Sequence, residues 1–200
     1  MKIKMIYLAA GNSRRFGSNK LYYEIKDRPL FRYGLDALEK VLMQNPETTL
    51  TVVTEYDRIR EYVLEKKILW NERISVVPSP DSEKGISYSI RAGLADEMAD
   101  YYLFCVADQP WMQDHTVLQL IRKTTEGGYT GGFVTWNGIS GNPAIFSAKL
   151  LPQLLSLTGD TGGKKLLQNR NDVCTIQVCT PLEMEDIDDF HKMQTLISQY

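Results

Sequence analysis

The stretch Ile3-Lys4-Met5-Ile6-Tyr7-Leu8-Ala9-Ala10-Gly11-Asn12-Ser13-Arg14-Arg15-Phe16-Gly17-Ser18-Asn19-Lys20 decides the fold, because an apolar run passes directly into a glycine-flanked basic loop. A strand that ends in such a loop opens a βα unit, and the loop then lies at the carboxyl edge of a parallel sheet. Gly11 and Gly17 let an anion approach the main chain closely, Arg15 offers a planar fork for phosphate, and Lys20 offers a point charge. A polyphosphate cradle follows from these residue types. Spacing excludes two other phosphate loops: five residues separate Gly11 from Gly17, one more than a P-loop allows, and Ser13 and Phe16 stand where the dinucleotide fingerprint needs glycine. Taken alone, the loop is equally compatible with a strand-to-helix turn whose arginines are merely solvated.

Outward from this loop, short β-branched runs alternate with longer segments of helical period, which argues for an α/β protein with a mostly parallel sheet. Strands are expected at residues 3–9, 50–54, 74–77, 101–107, 132–136, 144–146 and 173–178. Helices are expected from Pro29 to about Asn45 and at 56–69, 86–98, 115–124, 149–157, 163–169 and 189–198. In the first of these helices Leu30, Tyr33, Leu38, Val41 and Leu42 approximate one apolar stripe. The paired glycines 127–128 and 131–132 mark turns within one domain spanning residues 1–200.

Composition narrows the class. A chain of 200 residues that is 43% hydrophobic can bury one enzyme-sized core. A net charge of −2 argues against general attraction to nucleic acid or membrane, so positive charge must act locally, as in the basic loop. No apolar run approaches the ~20 residues that span a bilayer, and Lys2 and Lys4 do not suit a signal peptide, so a cytoplasmic protein is expected. Cys105, Cys174 and Cys179 form no CxxC pair and no even disulfide set.

In such sheets the residues after each strand matter most. Asp108-Gln109-Pro110 follows the apolar run Tyr101 to Ala107. An aspartate at that tip suits Mg²⁺, which takes one or two carboxylates plus substrate phosphates, although a turn or cap role fits the dipeptide equally.

The pattern Leu8-Ala9-Ala10-Gly11-x-Ser13-x-Arg15-Phe16-Gly17-x-x-Lys20, followed by Pro29-Leu30, resembles the signature loop of the nucleotidyltransferases that act on molybdenum cofactor. It is most similar to the molybdenum cofactor cytidylyltransferase family of the MobA-like NTP transferase superfamily. The resemblance continues through Pro80-Asp81 and the serine-bearing segment Gly85 to Leu94, then Ala107-Asp108-Gln109-Pro110. It closes with Gly141-Asn142-Pro143-Ala144-Ile145-Phe146, the run Leu157 to Leu167, and Asp186-Ile187-Asp188. The sequence departs from the family pattern at Phe16, Tyr22-Tyr23, Asn142, Gly163 and Asp189-Phe190.

This resemblance implies a Rossmann-like three-layer α/β/α fold of the nucleotidyltransferase type. It implies Mg²⁺-dependent transfer of CMP from CTP to molybdopterin with release of pyrophosphate, in service of a client molybdenum hydroxylase. Leu8, Ala9, Ala10, Gly11, Ser13, Arg15, Lys20, Ser87, Ser89 and Asp108 would bind nucleotide, and Lys20, Arg15 and Asp108 would be catalytic. Asp108 and Asp186, with Asp188 behind, would hold the metal, unless the acidic run Glu183 to Asp189 only complements the dipole of the last helix. Gly141, Asn142, Pro143 and Asp160 would face the acceptor. A sugar or alcohol phosphate acceptor, or a non-catalytic accessory protein that carries nucleotide or cofactor, are the alternatives. His115 and His191 read as surface or capping residues, and Trp70, Trp111 and Trp136 as packing residues that could also stack on a ring.

Overall fold

The computed structural model describes residues 1–11, 19–70, 72–95 and 98–198. The strands are β1 (Ile3–Leu8), β2 (Glu24–Ile25), β3 (Arg28–Pro29), β4 (Thr48–Val53), β5 (Ile74–Val77), β6 (Tyr101–Val106), β7 (Gly131–Trp136), β8 (Ile139–Ser147) and β9 (Val173–Gln177). The helices are α1 (Leu30–Gln44), α2 (Asp57–Leu69), α3 (Ile86–Leu94), α4 (Asp114–Glu126), α5 (Leu151–Leu155) and α6 (Phe190–Ser198).

Seven strands form one sheet in the order β5-β4-β1-β6-β8-β7-β9, and β8 alone runs against the others. β1 is buried along its whole length. Its Met5 and Tyr7 join one core and its Ile6 and Leu8 the other, as the period of a strand covered on both faces requires. Leu35 of α1, Ile59 of α2, Leu120 of α4 and Met193 of α6 pack on the Tyr7 face, while Ile90 of α3 and Leu154 of α5 pack on the Ile6 face. The three-layer α/β/α arrangement expected from the sequence is therefore present.

α1 shows how closely the layers meet. Its buried Leu30, Leu38, Val41 and Leu42 each remove a large apolar side chain from water, worth roughly 1.5–3 kcal/mol apiece. Gly34 lets the helix press on β1, since a Cβ there would lie 2.7 Å from the Tyr7 hydroxyl, which donates to the Phe31 carbonyl at 2.8 Å. The helix ends at Gln44, just before Asn45-Pro46.

Several elements differ from expectation for local reasons. The strand expected at 144–146 begins at Ile139, because Asn137 (φ 47) and Gly138 (φ 81) make a tight turn that folds it back on β7. The register shifts between Phe133 and Val134, leaving Asn142 and the cis-linked Pro143 as a bulge that accommodates a proline without an N–H. α3 ends at Leu94 rather than 98, and Met98 is 71% exposed. Residues 149–157 split into a 3-10 turn (Ala148–Leu150) and α5. Residues 163–169 form only a 3-10 turn (Gly163–Leu167), which seats Leu167 against Gly131 and leaves Asn169 with φ 58. Pro29 ends the β2–β3 hairpin and precedes α1 instead of lying in its first turn.

Candidate active site

From β1 the chain passes to β4 and β5 on one side, then returns to β6 on the other, so the carboxyl ends of β1 and β6 form the topological switch point of the sheet. A cleft of about 670 Å³ opens there. Leu8, Ala10 and Gly11 line it from β1, and Val106, Ala107 and Asp108 from β6. The segment after β4 fixes the chain leaving β1. Ala9 N donates to the Val53 carbonyl at 2.8 Å, Thr54 Oγ1 to the Ala9 carbonyl at 2.9 Å, and the Tyr56 hydroxyl to the Gly11 carbonyl at 2.7 Å.

Charge concentrates on one side of the cleft. Lys20 begins a 3-10 turn (Lys20–Tyr22) whose Leu21 N–H is capped by Asn19 Oδ1 at 3.1 Å. Its ammonium donates to Asp108 Oδ2 at 2.7 Å and to the Ile187 carbonyl at 2.8 Å, and lies 4.0 Å from Asp188 Oδ1. Ile187 N donates back to the Asp108 carbonyl at 2.9 Å, so the segment after β9 is stitched to the tip of β6. Gln109 Nε2 bridges the Met184 carbonyl at 3.0 Å and Asp186 Oδ1 at 2.7 Å. Burial pushes the Asp186 carboxyl up to about 6; the charges of Asp108 and Asp188 add to this, while Gln109 and Lys20 oppose it. The Asp108 and Asp188 carboxylates beside Lys20, with Asp186 held by Gln109 next to them, are hard oxygen donors of the kind that suits a Mg²⁺-like or Mn²⁺-like cation, although their donor atoms do not all lie within 4.8 Å of one another.

The opposite wall comes from the start of α3 and the turn after α5. Gly85 has φ +125, and a Cβ there would fall 2.3 Å from the Gly159 carbonyl group. Ser87 N donates to the Gly159 carbonyl at 3.2 Å, and Asp160 Oδ1 lies 3.5 Å from Ile86 N. Asp160 and Ser89 line the cleft, and the Ser89 hydroxyl is 3.0 Å from that of Ser79.

The sequence-derived candidates fall into groups. Leu8, Ala10, Gly11, Lys20, Ser89, Asp108 and Asp160 line the cleft, with Asp188 beside Lys20. Ala9 is fully buried behind it, and Ser87 is also fully buried, with no partner for its hydroxyl among the described residues. Asp186 reaches the cluster through Gln109. Gly141, Asn142 and Pro143 lie on β8 outside the cleft lining, where Gly141 packs on Met184. Ser13 and Arg15 lie outside the described residues.

The acidic run also divides by partner. Glu185 pairs with Lys192 at 2.8 Å, and Asp189 Oδ1 caps α6 by accepting from Lys192 N at 2.7 Å. Asp188 instead lies 4.0 Å from Lys20, and Asp186 accepts from Gln109. Sequence reasoning missed Gln109 and Tyr56 as anchors, and Lys164, whose half-buried ammonium donates to the Ser140 carbonyl at 2.8 Å. Burial lowers the Lys164 pKa, and the charge of Asp186 counteracts it. Trp70, Trp111 and Trp136 pack partly buried on the core. Among the described residues no helix is long and apolar enough to cross a membrane.

Comparison with known proteins agrees with this architecture. The family model described as MobA-like NTP transferase domain matches residues 5–173. Purine catabolism protein PucB of Bacillus subtilis is 28% identical over 169 residues, covering 82% of this chain and 80% of PucB. A 2-C-methyl-D-erythritol 4-phosphate cytidylyltransferase of Dictyoglomus thermophilum is 26% identical over 194 residues, covering 96% and 76% respectively. The crystal structure of Rv0371C from Mycobacterium tuberculosis in complex with manganese superimposes with a TM-score of 0.72 at 22% identity, covering 100% of both chains.

Proposed function

The chain belongs to the MobA-like NTP transferase domain family, and from that premise we propose that this nucleotidyltransferase moves CMP from CTP to a molybdopterin-type acceptor, releasing pyrophosphate. In this reading it needs a divalent cation such as Mg²⁺ and serves a client molybdenum hydroxylase. An acceptor phosphate oxygen attacks the α-phosphorus in line, one P–O bond forms, and the bond to the bridging oxygen of the leaving pyrophosphate breaks. Such a reaction needs alignment and charge neutralisation more than a protein nucleophile.

The observation that supports this reading is the convergence of Lys20, Asp108, Asp186 and Asp188 at the switch point. Lys20 offsets charge that builds on the α-phosphoryl and leaving oxygens. Asp108 and Asp186, with Asp188 beside them, would hold the cation, which would supply charge neutralisation for the phosphates. Ser13, Arg15 and the main chain at Ala10 and Gly11 cradle the phosphates, and Ser89 borders the base and sugar, with the buried Ser87 behind it. Asp160 lines the cleft on the acceptor side, and Gly141, Asn142 and Pro143, outside the lining on β8, would meet only the part of an acceptor that projects beyond the cleft. The manganese in the Rv0371C structure supports a divalent requirement without selecting Mg²⁺.

A second reading, an alcohol phosphate acceptor, draws support from the methylerythritol phosphate enzyme, whose match covers 96% of this chain. Calorimetric titration with CTP, GTP, ATP and UTP, each with and without Mg²⁺, tests the base, and pyrophosphate release with molybdopterin against methylerythritol phosphate tests the acceptor. Metal-dependent preference for CTP and turnover with molybdopterin are expected. Preference for GTP, or turnover with the alcohol phosphate alone, overturns the proposal while keeping the reaction class.

A further inference from the structure

We propose that His115, Cys179 and Glu183 bind one tetrahedral divalent cation of the zinc type, at a site separate from the cleft. Their donor atoms all lie within 4.8 Å of one another, and none of the three lines the cleft. Cys179 Sγ is 3.7 Å from His115 Nε2. A zinc ion held by a thiolate at ~2.3 Å and an imidazole at ~2.1 Å keeps those two atoms about 3.6 Å apart at the tetrahedral angle. The thiol and the ring already stand at the spacing that coordination requires.

Glu183 supplies the third donor and the charge argument. It is 1% exposed, yet both hydrogen bonds it accepts come from neutral groups: Thr116 Oγ1 at 2.6 Å and Cys179 N at 3.0 Å. Neither offsets the charge of a buried carboxylate, which a coordinated cation does. The same two donors fix the orientation of the carboxylate, as partners of metal ligands commonly do.

The donor set selects the metal. A thiolate beside an imidazole and one carboxylate favours a borderline-soft ion over Mg²⁺ or Ca²⁺, which prefer oxygen throughout. Binding releases the Cys179 thiol proton to solvent, and the thiolate and carboxylate charges then balance the dication. His115 and Cys179 are exposed, so water can fill the fourth position.

The ion clips three elements together. His115 lies in the first turn of α4, Cys179 just beyond β9, and Glu183 in the 3-10 turn Pro181–Met184. The residues that follow carry the Met184 carbonyl and Asp186, both held by Gln109. The site thus tethers the segment that delivers Ile187 and Asp188 to Lys20.

The test uses the full-length reduced protein in saturating Mg²⁺, which occupies carboxylates that prefer hard ions, with Zn²⁺ or Co²⁺ added as probe. One equivalent of Zn²⁺ is expected, and Co²⁺ should give tetrahedral d–d bands with a thiolate-to-cobalt charge-transfer band. Cys179→Ser should abolish that band and weaken Zn²⁺ binding by about 100-fold or more, His115→Ala should weaken binding comparably, and Cys174→Ser should leave it intact. Both ligand changes fall on exposed side chains, so the variants should remain folded. Absence of zinc uptake by the folded protein, cobalt binding without the charge-transfer band, or wild-type affinity in Cys179→Ser overturns the proposal.

Discussion

Lys20 Nζ lies 2.7 Å from Asp108 Oδ2, although 88 residues separate them, and the same ammonium holds the Ile187 carbonyl at 2.8 Å. One cation therefore joins the 3-10 turn Lys20–Tyr22, the tip of β6 and the acidic segment after β9. The contact is only part-buried, so its charge is available to a ligand entering the cleft. Lys20→Ala should reduce turnover by roughly 10²–10³-fold, in line with loss of one preorganised donor to a developing oxyanion. Its effect on folding should stay below about 2 kcal/mol because the pair is partly solvated. Asp108→Asn should abolish metal-dependent turnover with the fold retained. Pyrophosphate release and thermal melting on the two variants separate these effects, and an unchanged rate in either variant removes that residue from the catalytic role.

Asp186 makes stability depend on pH in a direction that can be worked out. Its folded pKa is raised to about 6, first by burial and then by Asp108. A raised carboxyl pKa means that the folded protein binds the proton more tightly than the unfolded chain does. The penalty for ionising Asp186 in the fold is therefore absent below the unfolded pKa, grows as pH rises, and is complete above about 6. With divalent metal removed by chelator, Asp186→Asn should match wild type near pH 4 and exceed it by about 1–2 kcal/mol at pH 7. Denaturant titrations across that range measure the gap, and a gap independent of pH would refute the assignment of the titration to Asp186.

Much of this was legible in the sequence because the signals were local. The run from Ile3 into Gly11 marked the first βα unit, and Asp108 followed the apolar strand expected at 101–107. The β7–β8 hairpin was not legible in the sequence, where the second strand is expected only at 144–146; the turn at Asn137-Gly138 and the bulge at Asn142-Pro143 extend it back to Ile139. Residues 163–169 carry helical residues, yet contact of Leu167 with Gly131 holds them in a 3-10 turn, a tertiary effect that no local pattern encodes. The acidic run illustrates the same limit. Its five carboxylates have similar sequence surroundings, and only the fold sends Asp189 to cap α6, Glu183 to Thr116, and Asp186 to Gln109.

Gly85 is the residue whose replacement most directly tests the far wall. Its φ of +125 disfavours any side chain, and a Cβ would meet the Gly159 carbonyl group at 2.3 Å. Backbone cannot yield there as a flexible side chain could. Gly85→Ala should destabilise the protein by about 2–4 kcal/mol and push α3 away from the turn bearing Asp160. Melting temperature and nucleotide affinity should fall together, whereas a variant with unaltered stability would show that this wall is free to shift.

Tyr56 offers a gentler probe of the loop. Its hydroxyl donates to the Gly11 carbonyl at 2.7 Å, and its own N–H is held by Thr54 Oγ1 at 3.1 Å. The ring contacts Tyr22 edge to face at 5.8 Å, so one side chain touches Gly11 and Tyr22. Tyr56→Phe keeps the ring and removes only the hydrogen bond, which should lower stability by about 0.5–1.5 kcal/mol. If that bond orients the chain leaving β1 for phosphate, the variant should also bind CTP several-fold more weakly in calorimetry, with the loss shared by GTP because the triphosphate is common to both. A loss confined to one base would instead place the hydroxyl's influence at the nucleobase. Unchanged affinity would show that Gly11 needs no such anchor to receive a triphosphate.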